Sequence, residues 1–313
     1  MDEITTTRTN DLIDPSLHIW GWEVGIYLFL GGLVAGMMIV SGYFIFKGRH
    51  NEHTCSCFRL PLLGVILLSV GMFALFLDLE YKIHVWRMYA TFQIASPMSW
   101  GSWILILVYP ALMANILMRP AEWMAKRLSI LKTASEKINQ SPSLIKAIGL
   151  TNIILGAMLG IYTGILLSAF GARPLWNSSI LGILFLVSGL SSAAALVHMI
   201  AKNAEERVLL AKADINFLII ELVIIGLWII GLISSTDAHL RAAFLILNGP
   251  YAASFWVLVI GIGVVIPIIM QSLAVRHRIH HYSILPVMVM FGGLMLRFVI
   301  VFAGQYSHWT RGL

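Results

Sequence analysis

The chain has 313 residues, 59% of them hydrophobic and only 12% charged, against the roughly 25% charged share of soluble domains. A chain of that composition cannot dissolve as a globule. Its net charge of +6 needs no nucleic-acid partner, because the placement of Lys and Arg along the chain accounts for it.

Residues 1–19 are mostly polar, with Asp2 and Glu3 where a cleavable leader would carry positive charge. The first helix is therefore read as the insertion signal. Eight apolar runs follow: Trp20–Phe46, Leu60–Leu79, Trp100–Met118, Ile145–Phe170, Leu175–Ile200, Ile215–Ser235, Tyr251–Leu273 and Tyr282–Ala303. Each is close to the ~20 residues that cross ~30 Å of hydrocarbon at ~1.5 Å per residue. The expectation is an all-α integral membrane protein: a segment 1–19, then one eight-helix transmembrane domain over 20–313. An echo between Leu28–Leu33 and Leu184–Leu190 fits two four-helix halves, 20–118 plus 145–170 and 175–303. The plainer reading of its small residues is close helix packing, as for Gly31, Gly32, Ala35 and Gly36, for Gly156, Gly160 and Gly164, and for Gly189, Ser192 and Ala193.

Fourteen Lys and Arg residues, from Lys47 to Arg278, fall in the loops after helices one, three, five and seven, and six, from Arg8 to Arg311, lie on the opposite side. Short-loop positive charge stays cytoplasmic. Both termini are thus expected on the periplasmic side of a bacterial inner membrane. The longest loop, Arg119 to Lys146, is expected to be basic, cytoplasmic and part helical.

Two cysteines, Cys55 and Cys57, are too few for an iron–sulfur cluster, which takes four thiolates, so any cluster is expected on a partner. The group His50, His53, Cys55 and Cys57 matches no standard zinc spacing, and no metal site is assigned. A membrane cytochrome needs axial ligands held within the bilayer. Of ten histidines only His198 lies in an apolar run, so no bis-histidine haem is expected, with His84 near a helix end the nearest further candidate.

An ionisable side chain in hydrocarbon costs at least ~2.5 kcal/mol by insertion scales, so each one is a functional candidate. Glu23 lies near the start of helix one, directly after Trp20 and Trp22, and either faces water or accepts protons beside a pocket. Asp78 is either a solvated helix end or part of a site. Glu221 and Arg297 lie deeper, as a buried pair or as separate polar relays. His198 reads as an interface histidine near Lys202, and Asp237 and His239 fall just beyond helix six.

Three stretches are more specific: Trp20-Gly21-Trp22-Glu23-Val24-Gly25-Ile26-Tyr27 running on to Gly36, Leu77-Asp78-Leu79 with Ser96-Pro97-Met98-Ser99-Trp100-Gly101-Ser102-Trp103, and Tyr162-Thr163-Gly164-Ile165-Leu166-Leu167 with Arg173-Pro174-Leu175-Trp176. Together they resemble the NrfD/polysulfide reductase membrane-subunit family over residues 18–200, with the last three helices alike in hydropathy. The resemblance implies a haem-free anchor subunit of a respiratory oxidoreductase that binds menaquinone or ubiquinone near the periplasmic face. It implies a ferredoxin-like 4Fe-4S partner and a molybdopterin or multihaem cytochrome catalytic subunit, so the terminal chemistry lies on another polypeptide. Tyr162 matches the family's quinone-contacting tyrosine of helix four. A family histidine of helix one falls on Tyr27 and a neighbouring asparagine on Val24, which leaves Glu23 or His84 as substitutes.

The resulting assignment places catalytic roles on Tyr162, Asp78 and Glu23 and quinone contacts on Tyr27, Tyr162, His84 and Trp100. A proton path runs through Glu221, Arg297, His198 and Asp237. Tryptophans at helix ends are equally at home as interfacial anchors. The competing class is a secondary transporter or proton-translocating module built on that same path.

Overall fold

The structure is a computed structural model that describes residues 20–48, 60–118, 120, 129–201, 204–275 and 284–309. The group His50, His53, Cys55 and Cys57 lies outside the described residues. Hydrocarbon offers no partners to free backbone amides, so apolar runs of this length must bond internally as helices. Eight described helices are long and apolar enough to cross a bilayer. In chain order they are α1 (Trp22–Phe46), α2 (Leu60–Asp78), α4 (Pro97–Met118), α6 (Pro142–Ser168), α7 (Ile180–Ile200), α8 (Ala204–Ile233), α10 (Ser254–Val275) and α11 (Ile284–Gln305). Shorter helices lie between them: α3 (Arg87–Ala90), α5 (Ser129–Asn139) and α9 (Asp237–Leu247). The protein is a multi-pass membrane protein. Successive spans alternate in direction, so α1 starts and α11 ends on one face, here called the termini face, opposite the loop face.

Local chemistry sets several helix ends. Gly48, at φ +77°, takes the left-handed turn that closes α1, a conformation that carries no penalty without a Cβ. Pro142 opens α6 from its first turn, where its missing N–H costs nothing. Helix α8 begins at Ala204 rather than at Ile215, because Glu206, Leu210 and Asp214, spaced one turn apart, are all buried. Its first turns are polar in sequence yet belong to the interior. In α10 the stretch Ser254–Val265 winds as π-helix before Ile266–Val275 returns to α-helix.

Helix α1 is central, packing on α2, α6, α7 and α11. Helix association in lipid relies on close van der Waals fit between small residues, and glycines supply it here. A Cβ on Gly156 would sit 2.7 Å from the Ala35 carbonyl oxygen, and one on Gly160 would lie 2.6 Å from Leu186. Gly189 brings the backbones of α1 and α7 into direct contact, since a Cβ there would sit 2.3 Å from the Gly32 carbonyl oxygen, so position 189 accepts no side chain. Leu28, Val34, Phe185 and Leu159 are fully buried around this junction.

Candidate functional site

A cavity of about 400 Å³ opens at the termini face among α1, α2, α4 and α6. Its mouth lies at Phe76 and Met98, both more than a third exposed, and its floor at Tyr27 and Tyr162, 2% and 5% exposed. Trp20, Val24, Met72, Leu75, Leu105 and Leu166 supply apolar walls. The polar groups are few: the phenols of Tyr27, Tyr162 and Tyr89, the Ser102 hydroxyl and the Asp78 carboxylate.

Each is placed by a recognisable device. Tyr27 projects from the second turn of α1 and Tyr162 from the last third of α6, and their phenols lie side by side on the cavity floor. Gly101 on α4 makes that possible, since the Tyr162 phenol occupies the space a Cβ at 101 would need. The Ser102 hydroxyl lies within donating reach of the carbonyl oxygens of Met88 (2.7 Å) and Ser99 (2.8 Å), which ties α3, carrying Tyr89, to α4. Burial pushes the Tyr89 phenol above its ordinary range, with Tyr109 adding to the shift, so Tyr89 stays a neutral donor at any physiological pH. Asp78, at the end of α2, lies near the Gly21 backbone and Glu23. The Glu23 carboxylate folds back against Gly21.

Among the residues singled out in the sequence, Tyr27, Tyr162 and Asp78 thus line one cavity. Glu23 stands behind its rim, next to Asp78. His84 is exposed on a short 3₁₀ turn, Lys82–His84, away from the lining. Trp100 also lies outside it, with its indole N–H bonded to the Ile94 carbonyl at 2.8 Å.

The second set divides as well. Arg297, 1% exposed at the middle of α11, donates to the Ser188 hydroxyl, to the Gly293 carbonyl (3.0 Å) and to the Phe185 carbonyl (2.9 Å), and its guanidinium lies 4.9 Å from the Phe185 ring centroid. Ser188 also lies beside Glu221, which places the two ionisable groups in one cluster. His198 is buried in the last turn of α7 at the loop face. Asp237 opens α9 on the termini face, where it pairs with Arg241 at 2.6 Å and is 43% exposed.

Asp214 does not stand out in the sequence, because the apolar run begins one residue later. It is fully buried, accepting from Ser191 Oγ and from Gln271 Nε2, both at 2.8 Å. Its separation from Glu221, two helical turns on α8, was the available signal.

The polysulphide reductase NrfD family profile matches residues 10–307. The chain belongs to the NrfD polysulphide reductase family. It is similar to a component of the polysulfide reductase of Wolinella succinogenes, 27% identical over 92% of this chain and 94% of that one. It is also similar to protein NrfD of Escherichia coli, 26% identical over 96% and 99%. A component of the selenate reductase of Mesobacillus selenatarsenatis is 24% identical over 95% of this chain and 76% of the relative. The family match covers all eight spans, including the last three, which the sequence motifs alone left to hydropathy. Both the phenol cavity and the Arg297 cluster therefore fall within the family's common extent.

Proposed function

We propose that the termini-face cavity binds a quinone, menaquinone or ubiquinone, and that the chain is the quinone-reactive anchor of a respiratory reductase in a bacterial inner membrane, with that face periplasmic. The observation that carries this is the cavity itself: apolar walls, a mouth at Phe76 and Met98, and a floor of phenols. Its volume falls in the range of ~300–1,000 Å³ usual for small-molecule sites. Methionine and leucine walls suit an apolar ring and tail, and Tyr162 and Tyr27 offer hydroxyls to a ring oxygen. Converting quinol to quinone releases two electrons and two protons, and the reverse takes up both. Tyr162 holds the oxygen and passes its proton to Tyr27 or the rim, and Asp78 exchanges it with water beside Glu23. The electrons pass to or from an iron–sulfur partner docked on the same face, with a molybdopterin or multihaem catalytic subunit beyond it. Reductase components among the relatives support that assembly.

Because Trp20 forms part of the wall, a short-tailed quinone titrated into the purified protein is expected to quench tryptophan fluorescence saturably, and a quinone-site inhibitor to reverse it. Linear, non-saturable quenching would remove the proposal.

A second reading is favoured by the polar file in the other half, from Asp214 with Ser191 and Gln271 to Glu221, Ser188 and Arg297. We propose that it moves protons from the loop side during turnover. In this path Asp214 takes the place that the sequence reading assigns to Asp237, which lies at the opposite, exposed end. Asp214→Asn in proteoliposomes of the whole complex is expected to keep quinol turnover and to lower the protons moved per electron. An unchanged ratio would eliminate the path.

A further inference from the structure

Trp20 is the one aromatic wall of the cavity that lies before α1, and another helix holds it. The Gln305 side chain, 4% exposed at the end of α11, accepts the Trp20 N–H through Oε1 at 2.9 Å and donates through Nε2 to the Trp20 carbonyl at 2.9 Å. One amide thus satisfies both backbone groups of residue 20, as a paired strand would. The Trp20 indole stacks on Trp176, with ring centroids 5.1 Å apart and planes 29° apart, and meets Phe170 edge-on at 4.9 Å. Trp176 is fixed in turn: its indole N–H donates to the Ile300 carbonyl at 2.8 Å, and Gly304 leaves no room between the helix and that ring. The outward end of α11 therefore holds Trp20 from two sides, through its backbone and through the ring behind it.

We infer that Gln305 is a positioning residue that sets how closely the Trp20 indole closes on the quinone ring. The inference rests on the proposal that the cavity binds quinone. Gln305 does not itself line the cavity and bonds only the backbone of Trp20, so its loss changes the wall and leaves the phenols in place. A displaced wall weakens ring binding and does not alter the groups that handle protons.

The test uses the assembled complex and a short-tailed quinol. Gln305→Met conserves volume and removes both hydrogen bonds, and is expected to raise KM about tenfold, the scale of one to two net hydrogen bonds, with kcat within about twofold. Gln305→Glu keeps the acceptor for the Trp20 N–H and loses the donor, and is expected to give a smaller rise. Combined with Trp20→Ala, Gln305→Met is expected to add nothing, since the ring through which it acts is gone. An unchanged KM in either single variant, a fall in kcat alone, or full additivity in the double variant overturns the inference while leaving the quinone site standing. A wild-type complex that never saturates with quinol overturns both.

Discussion

Tyr162→Phe is expected to slow quinol turnover by about 100-fold, the lower range of a lost positioned proton-transfer group, while insertion and assembly stay normal. The phenol hydroxyl is the only part removed, and the ring keeps its place under Gly101. Its neighbour Tyr27 on the cavity floor is unchanged. Gly101→Ala reaches the same site by another route: its methyl must displace the Tyr162 ring, so turnover falls although every polar group is retained. Steady-state kinetics on the complex, with subunit yield as control, checks both. Wild-type turnover in Tyr162→Phe would mean that the phenol plays no part in the chemistry.

Arg297→Leu is expected to be the most destabilising single change in the membrane interior, by about 3–5 kcal/mol, because it leaves a buried charge without its counterpart. Glu221 keeps Ser188 and loses the cation, and the Phe185 carbonyl loses its donor. The double variant Glu221→Gln with Arg297→Met is expected to recover most of the loss, since a pair removed together strands no charge. Thermal unfolding in detergent reads both. A single variant as stable as wild type would show that the two groups do not depend on each other.

Hydropathy alone marks every span, because a bilayer admits few alternatives to an internally bonded helix. What it misplaces are polar turns attached to apolar ones. The start of α8 is the clearest case: Glu206 and Asp214 read as loop residues, yet neighbouring helices bury them. Helix α9 escapes it because that helix is too short to span and carries Asp237, His239 and Arg241. The site was partly legible. Tyr27, Tyr162 and Asp78 stand out through the family likeness and Ser102 falls within one of its stretches, whereas Tyr89 gives no signal, since a tyrosine on a short connecting helix is common everywhere. Trp100 and His84 fit by residue type and proximity in sequence, but neither lines the cavity, and the Trp100 indole is bonded to the Ile94 carbonyl instead.

Composition and run length by themselves determined that this is a membrane protein and marked the eight described helices long and apolar enough to cross, because the cost of exposing backbone and apolar surface to the wrong solvent is paid locally, residue by residue. Which polar groups meet was decided only by tertiary packing. Gly101 beside Tyr162, Ser188 between Glu221 and Arg297, and Gln305 on Trp20 each join residues from separate helices. Such contacts depend on how the helices rotate and approach, and no local pattern along the sequence records that geometry.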